Sequence, residues 1–242
     1  MKKQTKQIIG HIRQLGLAAL LTTGLASQAQ TPIFEGHTDI GVAYDETANE
    51  WELHVHDEEN DAEYFPATGA LLVVKNAALT TVPAGLQWSF LGTAGSDTWI
   101  LPKAENPNLL FLGFGAEETD AGIFVGDVFT MKLTGVTGPG NFAVYDTDAF
   151  NIPIVWMNSA DGFSEADSKV LPAGAHSHVN WAFSAPGDYS VFFEASGISE
   201  LNGATTSGPV EYLFQVVPEP GSLSLAGVGA LSWIWLRRKQ RN

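Results

Sequence analysis

Apolar and polar positions in this 242-residue chain change over in short runs. Val, Ile, Phe, Tyr, Trp and Thr gather in segments of four to seven residues between Gly, Pro, Asn and Asp. Such runs predict strands. They fall at 38–44, 51–56, 71–74, 98–101, 109–113, 128–133, 142–145, 154–157, 179–184, 189–195 and 212–216. No long stretch carries the 3.6-residue apolar period of an amphipathic helix. The pattern predicts an all-β fold, a β-sandwich with immunoglobulin-like or Greek-key connections. Two turns are expected to close hairpins: 45–50, and Ala185-Pro186-Gly187-Asp188 between the runs at 179–184 and 189–195. The Gly/Pro/Asn-rich stretches 135–141 and 202–209 read as loops within one domain. Trp181 alternates with Phe183 and is expected to point inward, and Trp88, Trp99 and Trp156 read as core more readily than as sugar-stacking platforms.

The pattern changes at both ends. Lys2, Lys3, Lys6 and Arg13 precede an apolar, alanine-rich run at 15–25, and Ser27-Gln28-Ala29 follows. This is the layout of a secretory signal, with cleavage by signal peptidase expected after Ala29. The run is well under the roughly 20 residues a helix needs to span a bilayer. At the other end, Pro218-Glu219-Pro220 leads into an uncharged apolar stretch, 221–236, closed by Trp233 and Trp235. Arg237, Arg238, Lys239 and Arg241 come next. An apolar helix with interfacial tryptophans and a basic cytoplasmic end obeys the positive-inside rule.

This three-part tail resembles the PEP-CTERM sorting signal of Gram-negative bacteria. The resemblance implies export through an inner-membrane-anchored precursor, recognition by an exosortase and removal of the tail near Pro218-Glu219-Pro220. The mature form would then stand at the cell surface or outside the cell. A plain C-terminal anchor is the alternative. The expected division is a signal peptide at 1–29, a β-sandwich metal-binding domain at 30–217 and a sorting signal with a transmembrane helix at 218–242.

Removing both ends alters the charge. Only Lys75, Lys103, Lys132 and Lys169 remain against 26 acidic side chains, so the region between has a net charge of −22, against −15 for the whole chain. Such a surface repels nucleic acid and attracts cations. The chain has no cysteine. The core must therefore hold an exported fold without disulfides, and any transition metal must be taken by imidazole and carboxylate, a donor set that suits zinc and also admits copper or nickel.

All five histidines outside the signal segment lie in two clusters, His37, His54 and His56, then His176 and His178, with two-residue spacing between His37 and Asp39, His54 and His56, and His176 and His178. Residues i and i+2 of a strand share a face, about 7 Å apart by strand rise. His37 and Asp39 share a face of one predicted strand, and His54 and His56 share a face of the next. If the 45–50 turn pairs these strands, three imidazoles and a carboxylate can meet on one patch. His176 and His178 can join that patch or form a second. Asp57, Glu58, Glu59, Asp61 and Glu63 are further candidate ligands or supports. Calcium is the other cation considered, for the acidic run at 57–63 and for Asp146 and Asp148, although no EF-hand spacing is present.

Glu35-Gly36-His37-Thr38-Asp39-Ile40-Gly41-Val42 and Trp51 to Glu59 resemble the start of the actinobacterial surface-anchored (choice-of-anchor M) domain. His176-Ser177-His178-Val179-Asn180-Trp181-Ala182-Phe183 with Ala185-Pro186-Gly187-Asp188-Tyr189 resembles its closing repeat. With the tail, the combination is similar to PEP-CTERM proteins repressed by a zinc-uptake regulator. That resemblance implies production under zinc shortage and a role in zinc acquisition or buffering. Mapped onto this sequence, it points to His37, Asp39, His54, His56, His176 and His178 as metal ligands and to no catalytic residue. Expected partners are the exosortase and signal peptidase, the inner membrane before processing, and an exopolysaccharide or a zinc-uptake component outside. Two other functions stay open: a structural matrix or adhesion module, and a metal-dependent hydrolase with Glu52 or Asp57 as base. The chain has neither His-Glu-x-x-His nor Gly-x-Ser-x-Gly to favour the hydrolase.

Overall fold

A computed structural model describes residues 30–218. The expected signal segment and the tail from Glu219 onward, with Pro220, the apolar stretch, Arg237 and Arg238, lie outside the described residues. No helix among the described residues is long and apolar enough to cross a membrane.

The described chain is built from strands. It opens with β1 (Thr31–Ile33), β2 (Gly36–Asp45), β3 (Glu50–Asp57), β4 (Ala62–Tyr64) and β5 (Ala70–Val74). The middle contributes β6 (Leu79–Thr81), β7 (Asp97–Leu101), β8 (Leu110–Gly115), β9 (Val128–Thr137), β10 (Phe142–Thr147) and β11 (Pro153–Asn158). The last part adds β12 (Ser168–Pro172), β13 (His176–His178), β14 (Asn180–Phe183), β15 (Gly187–Ser199), β16 (Gly203–Thr206) and β17 (Val210–Val216). One sheet runs β1-β5-β17-β15-β9-β12, with β16 attached to β15; a second runs β11-β10-β14-β7-β6; a third runs β13-β8-β2-β3-β4. The β1/β5, β5/β17 and β2/β8 pairs are parallel, and the other ladders are antiparallel.

All eleven expected strands are present, so the all-β class stands. The six the pattern did not single out, β1, β4, β6, β12, β13 and β16, have three to five residues each. Such lengths carry too few alternations to register as a period. The stretch 202–209, expected as loop, contains β16, which pairs with the outer end of the long strand β15. Part of 135–141 is likewise strand, because β9 continues to Thr137.

The two expected turns part company. The 45–50 turn does close a hairpin, with β2 and β3 in register from Thr38↔Asp57 to Asp45↔Glu50. Asp45 Oδ1 accepts from the backbone N–H of Thr47 at 2.8 Å and Ala48 at 2.9 Å, and Asn49 takes a φ of 57°. Asn tolerates that left-handed region, and the Asp side chain supplies the turn's acceptor. Ala185-Pro186-Gly187-Asp188, in contrast, is a corner between sheets. β14 already pairs on both edges with β7 and β10, and β15 with β9 and β17, so neither has an edge left for the other. Tyr189 braces the corner through its hydroxyl, which donates to the Ala185 carbonyl at 2.8 Å.

The first sheet packs across an aromatic core onto the other two. Trp181 of β14 meets Phe193 of β15 edge-on at 5.9 Å and Phe214 of β17 at 6.4 Å. Phe114 of β8 contacts both Trp181 at 4.9 Å and Phe193 at 5.9 Å. Trp181 is fully buried and donates its indole N–H to the Leu112 carbonyl at 3.0 Å. It thereby ties β14 of the second sheet to β8 of the third. Trp88 and Trp99 are also buried, while Trp156 is partly covered, with Lys169 Nζ 4.4 Å from its ring centre.

Trp181→Ala should therefore remove both the central ring and a buried donor. The expected cost is about 3–5 kcal/mol of unfolding free energy, read as a fall in the urea midpoint.

Candidate metal centre

The third sheet has one buried face and one open face, and β2 shows the division. Thr38, Ile40, Val42 and Tyr44 are buried, whereas His37, Asp39, Gly41 and Ala43 take the alternate positions and point to the open face. The register then lines up the chemistry in transverse rows. His178 of β13 pairs with Gly113 of β8, Gly113 with Asp39 of β2, Asp39 with His56 of β3, and His56 with Glu63 of β4. The next row runs His176, Gly115, Gly41 and His54.

β8 contributes no side chain to the open face at two successive positions, and this lets donors meet across it. A Cβ placed on Gly113 would overlap Asp39 Oδ1 and come within 3.1 Å of His176 Nε2 and His178 Cε1. One on Gly115 would lie 2.9 Å from Glu117 Oε2 and 3.2 Å from Asp39 Cβ. Over this glycine floor the Nε2 atoms of His37 and His176 approach to 3.1 Å, and those of His37 and His178 also to 3.1 Å. Asp39 Oδ1 is 2.9 Å from His176 Nε2, and Oδ2 is 3.3 Å from His37 Nε2. Three imidazole nitrogens and one carboxylate oxygen thus lie within 4.8 Å of one another. Ligands about 2.0–2.1 Å from a tetrahedral zinc stand about 3.3 Å from one another, close to these separations.

Hydrogen bonding cannot account for this cluster. An imidazole Nε2 has either one proton or one lone pair to offer. His37 Nε2 faces two imidazole nitrogens and a carboxylate oxygen at once. Asp39 is 1% exposed, and its Oδ2 makes no hydrogen bond. A buried carboxylate is costly without a compensating charge. Burial pushes Asp39 above the usual carboxylate range, although the imidazoles of His176 and His37 oppose the shift. A cation among the four donors would answer the orphaned valences together.

Neighbouring groups set the ring orientations. His178 stacks on Phe111 with 3.5 Å between ring centres and 6° between planes. His176 Nδ1 lies 2.7 Å from Glu117 Oε1, which leaves Nε2 to face the other donors, as in carboxylate–histidine–metal arrangements. Glu117 and Glu118 sit in a turn after β8. It is closed by Thr119 N–H donating to the Ala116 carbonyl at 3.1 Å and anchored by Thr119 Oγ1 donating to the buried Val42 carbonyl at 3.0 Å.

His37, Asp39, His54 and His56 do lie on adjacent antiparallel strands with one outward face, as expected from the spacing. They do not form one donor set. Asp39 faces His56 across the ladder, but His37 lies beyond the pairs that reach His54, so the hairpin's donors divide into two groups. His37 and Asp39 join His176 and His178, whereas His54 and His56 group with Glu118. Glu58 supports His56, its Oε1 being 3.3 Å from Nδ1. Asp57 points to the opposite face and accepts from Asn60, so it cannot serve as base for an ion on the open face. Of the calcium candidates, Asp146 is engaged by Lys103 Nζ at 2.5 Å, and Asp148 Oδ1 caps the 148–152 turn by accepting from Phe150 and Ile152 N–H. Sequence reasoning missed Gly113, Gly115, Glu117 and Glu118. The signal available was Phe111-Leu112-Gly113-Phe114-Gly115, where glycines alternate with large apolar residues.

Residues 216–239 match the family model of the PEP-CTERM protein-sorting motif. That motif implies an exported, membrane-passing protein whose C-terminus is processed by an exosortase. No curated protein and no solved structure matches the chain.

Gly113→Ala should leave the fold in place and lower affinity for any ion held by these four donors at least about 100-fold, since the added methyl displaces Asp39, a donor rather than one of the supports whose loss costs 10–100-fold. Chelator competition alongside circular dichroism would measure both. Acid offers a second check. Burial, with the nearby His176 and His37 imidazoles, pushes His178 down to about 4 from an ordinary value of 6.5. Its depressed value contributes stability that is present above pH 6.5 and lost as pH falls toward 4, because there the unfolded chain binds the proton and the native state does not. Because the raised Asp39 carboxyl acts in the opposite direction, the His178 contribution is read by difference against His178→Phe, which keeps a ring on Phe111. Between pH 7.5 and pH 5 the chelator-treated protein should lose more of its urea midpoint than that variant does.

Proposed function

We propose that this chain is an exported zinc-binding protein that captures or buffers the ion outside the cytoplasm and does no chemistry on a substrate. The observation that carries the reading is the convergence of His37, His176 and His178 Nε2 with the Asp39 carboxylate at 2.9–3.3 Å, which no hydrogen-bond pattern satisfies. Three imidazoles and one carboxylate suit a borderline cation such as zinc. Calcium, which takes six to eight oxygen ligands, is poorly served by them.

The compartment supports the same reading. An exported protein meets metal in an environment that oxidises thiols, and this chain offers none. A net charge of −22 on the region between its ends concentrates cations near the pocket. From the resemblance of the segments 35–42, 51–59 and 176–189 to the choice-of-anchor M domain and to PEP-CTERM proteins repressed by a zinc-uptake regulator, we further propose production under zinc shortage. We read the scaffold as a β-sandwich of Greek-key type, a reading supported by the aromatic packing between sheets.

The test uses the full-length chain in mild detergent, stripped with chelator and titrated with zinc. Free zinc at 100 times the dissociation constant should raise unfolding free energy by about 2.7 kcal/mol, and calcium should not. Asp39→Asn and His176→Ala should each weaken tight zinc binding at least about 100-fold. Unchanged zinc affinity in both variants would sink the assignment.

A further inference from the structure

A second group of donors lies beside the four already described. His54, His56 and Glu118 each offer a ligand atom within 4.8 Å of the others. His54 is only 4% exposed, and neither of its ring nitrogens makes a hydrogen bond. Its nearest charged neighbour is Glu118, whose Oε1 lies 3.2 Å from Nε2 without hydrogen-bond geometry. A buried imidazole with both nitrogens unpartnered is costly, so the arrangement calls for a ligand.

The backbone makes room for this ring. A Cβ on Gly41 would overlap His54 Nε2, Cδ2 and Cε1, so the imidazole can lie over β2 only because residue 41 has no side chain. His56 Nδ1 is occupied by Glu58 Oε1 at 3.3 Å, which leaves Nε2 for an ion. The two groups share a cavity of about 340 Å³ lined by His37, Asp39, Gly41, His56, Glu118 and His176 among others. By strand spacing and rise, the positions over Gly113 and over Gly41 lie roughly 8 Å apart. That is far enough for two separate ions.

We propose that His54, His56 and Glu118 form a second divalent-cation site, for zinc or a similar borderline transition metal, and that this site exchanges its ion faster than the His37–Asp39–His176–His178 set. The second site stands on its own side chains; only the comparison of rates rests on the four-donor reading. Three protein donors leave one tetrahedral position for water or for an incoming ligand. The carboxylates also differ. The Asp39 side chain is 2% exposed, whereas that of Glu118 is 44% exposed and can swing away with the departing ion. Each site pairs one direct carboxylate with one behind a histidine, Asp39 with Glu117 and Glu118 with Glu58. A doubly charged ion is then matched by two negative charges at either place. The open site receives and gives up the ion, and the closed one retains it.

The test is metal stoichiometry and release on the chelator-stripped full-length chain, with cobalt(II) absorption to report coordination and zinc competition to count equivalents. The unaltered chain should take two equivalents, and His54→Ala and Glu118→Ala should each take one. Glu118 is exposed enough for its removal to spare the fold, which circular dichroism would verify. His176→Ala should keep the His54-dependent equivalent and lose the other. In stopped-flow release to a chelator, the Glu118-dependent equivalent should leave at least about tenfold faster, for want of a fourth protein donor. Two equivalents persisting in both His54→Ala and Glu118→Ala would overturn the second site. So would a single equivalent that survives His54→Ala and disappears in His176→Ala, an outcome that leaves the four-donor reading intact. A single equivalent with the opposite dependence would support the second site and remove the four-donor reading. Equal or slower release from the second site would overturn its role in exchange.

Discussion

The donors on the open face reach one another only across a strand that has no side chains there. β8 lies between the strand carrying His176 and His178 and the strand carrying His37 and Asp39. Neighbouring strands stand about 4.8 Å apart, so donors two strands away begin nearly 10 Å apart at their backbones. Any side chain at 113 or 115 would fill the space through which they converge. Gly41 does the same for His54 on the other side of Asp39. Each glycine costs conformational entropy within a strand. The fold accepts that cost at the positions where the registers bring histidines and carboxylates together.

Placing those glycines correctly depends on the core beneath them. β13 and β14 are separated only by Val179, which is buried, so the histidine strand runs directly into the strand that carries Trp181. The Trp181 indole reaches back to the Leu112 carbonyl, one residue from Gly113. Phe114 packs on Trp181 from the other side of Gly113. The polar face and the aromatic core are therefore two sides of the same residues: Leu112 and Phe114 point in, and Gly113 and Gly115 point out. A slip of one residue between β8 and β13 would put large apolar groups where the donors now meet.

Charge distribution favours the same face. Lys75 pairs with Glu35 at 2.8 Å, Lys103 with Asp146 at 2.5 Å and Lys132 with Glu165, while Lys169 lies over Trp156. None of these four ammonium groups lines the cavity that holds the histidines. Cations from solution are drawn to a surface whose own cations are placed elsewhere.

Several features could be read from sequence because they depend on neighbours along the chain. Strand runs declare themselves by composition, the 45–50 hairpin by its Asp and Asn, and the sorting tail by the order of Pro-Glu-Pro, apolar stretch and arginines. The two-residue spacing of His37 with Asp39, His54 with His56, and His176 with His178 likewise fixes which side chains share a face. Pairing between distant strands is a different matter. Spacing cannot say that β13 would lie beside β8 and not beside β3, since strand order is set by which apolar faces pack across the core. That choice moved His37 and Asp39 into partnership with histidines about 140 residues away and left His54 and His56 to Glu118. It also turned Ala185-Pro186-Gly187-Asp188 from a hairpin into a corner, because both flanking strands had already spent their edges. The kinds of donor and their local pairing belong to the sequence. Their assembly around particular points belongs to the tertiary structure, where a glycine's missing side chain is as decisive as a histidine's presence.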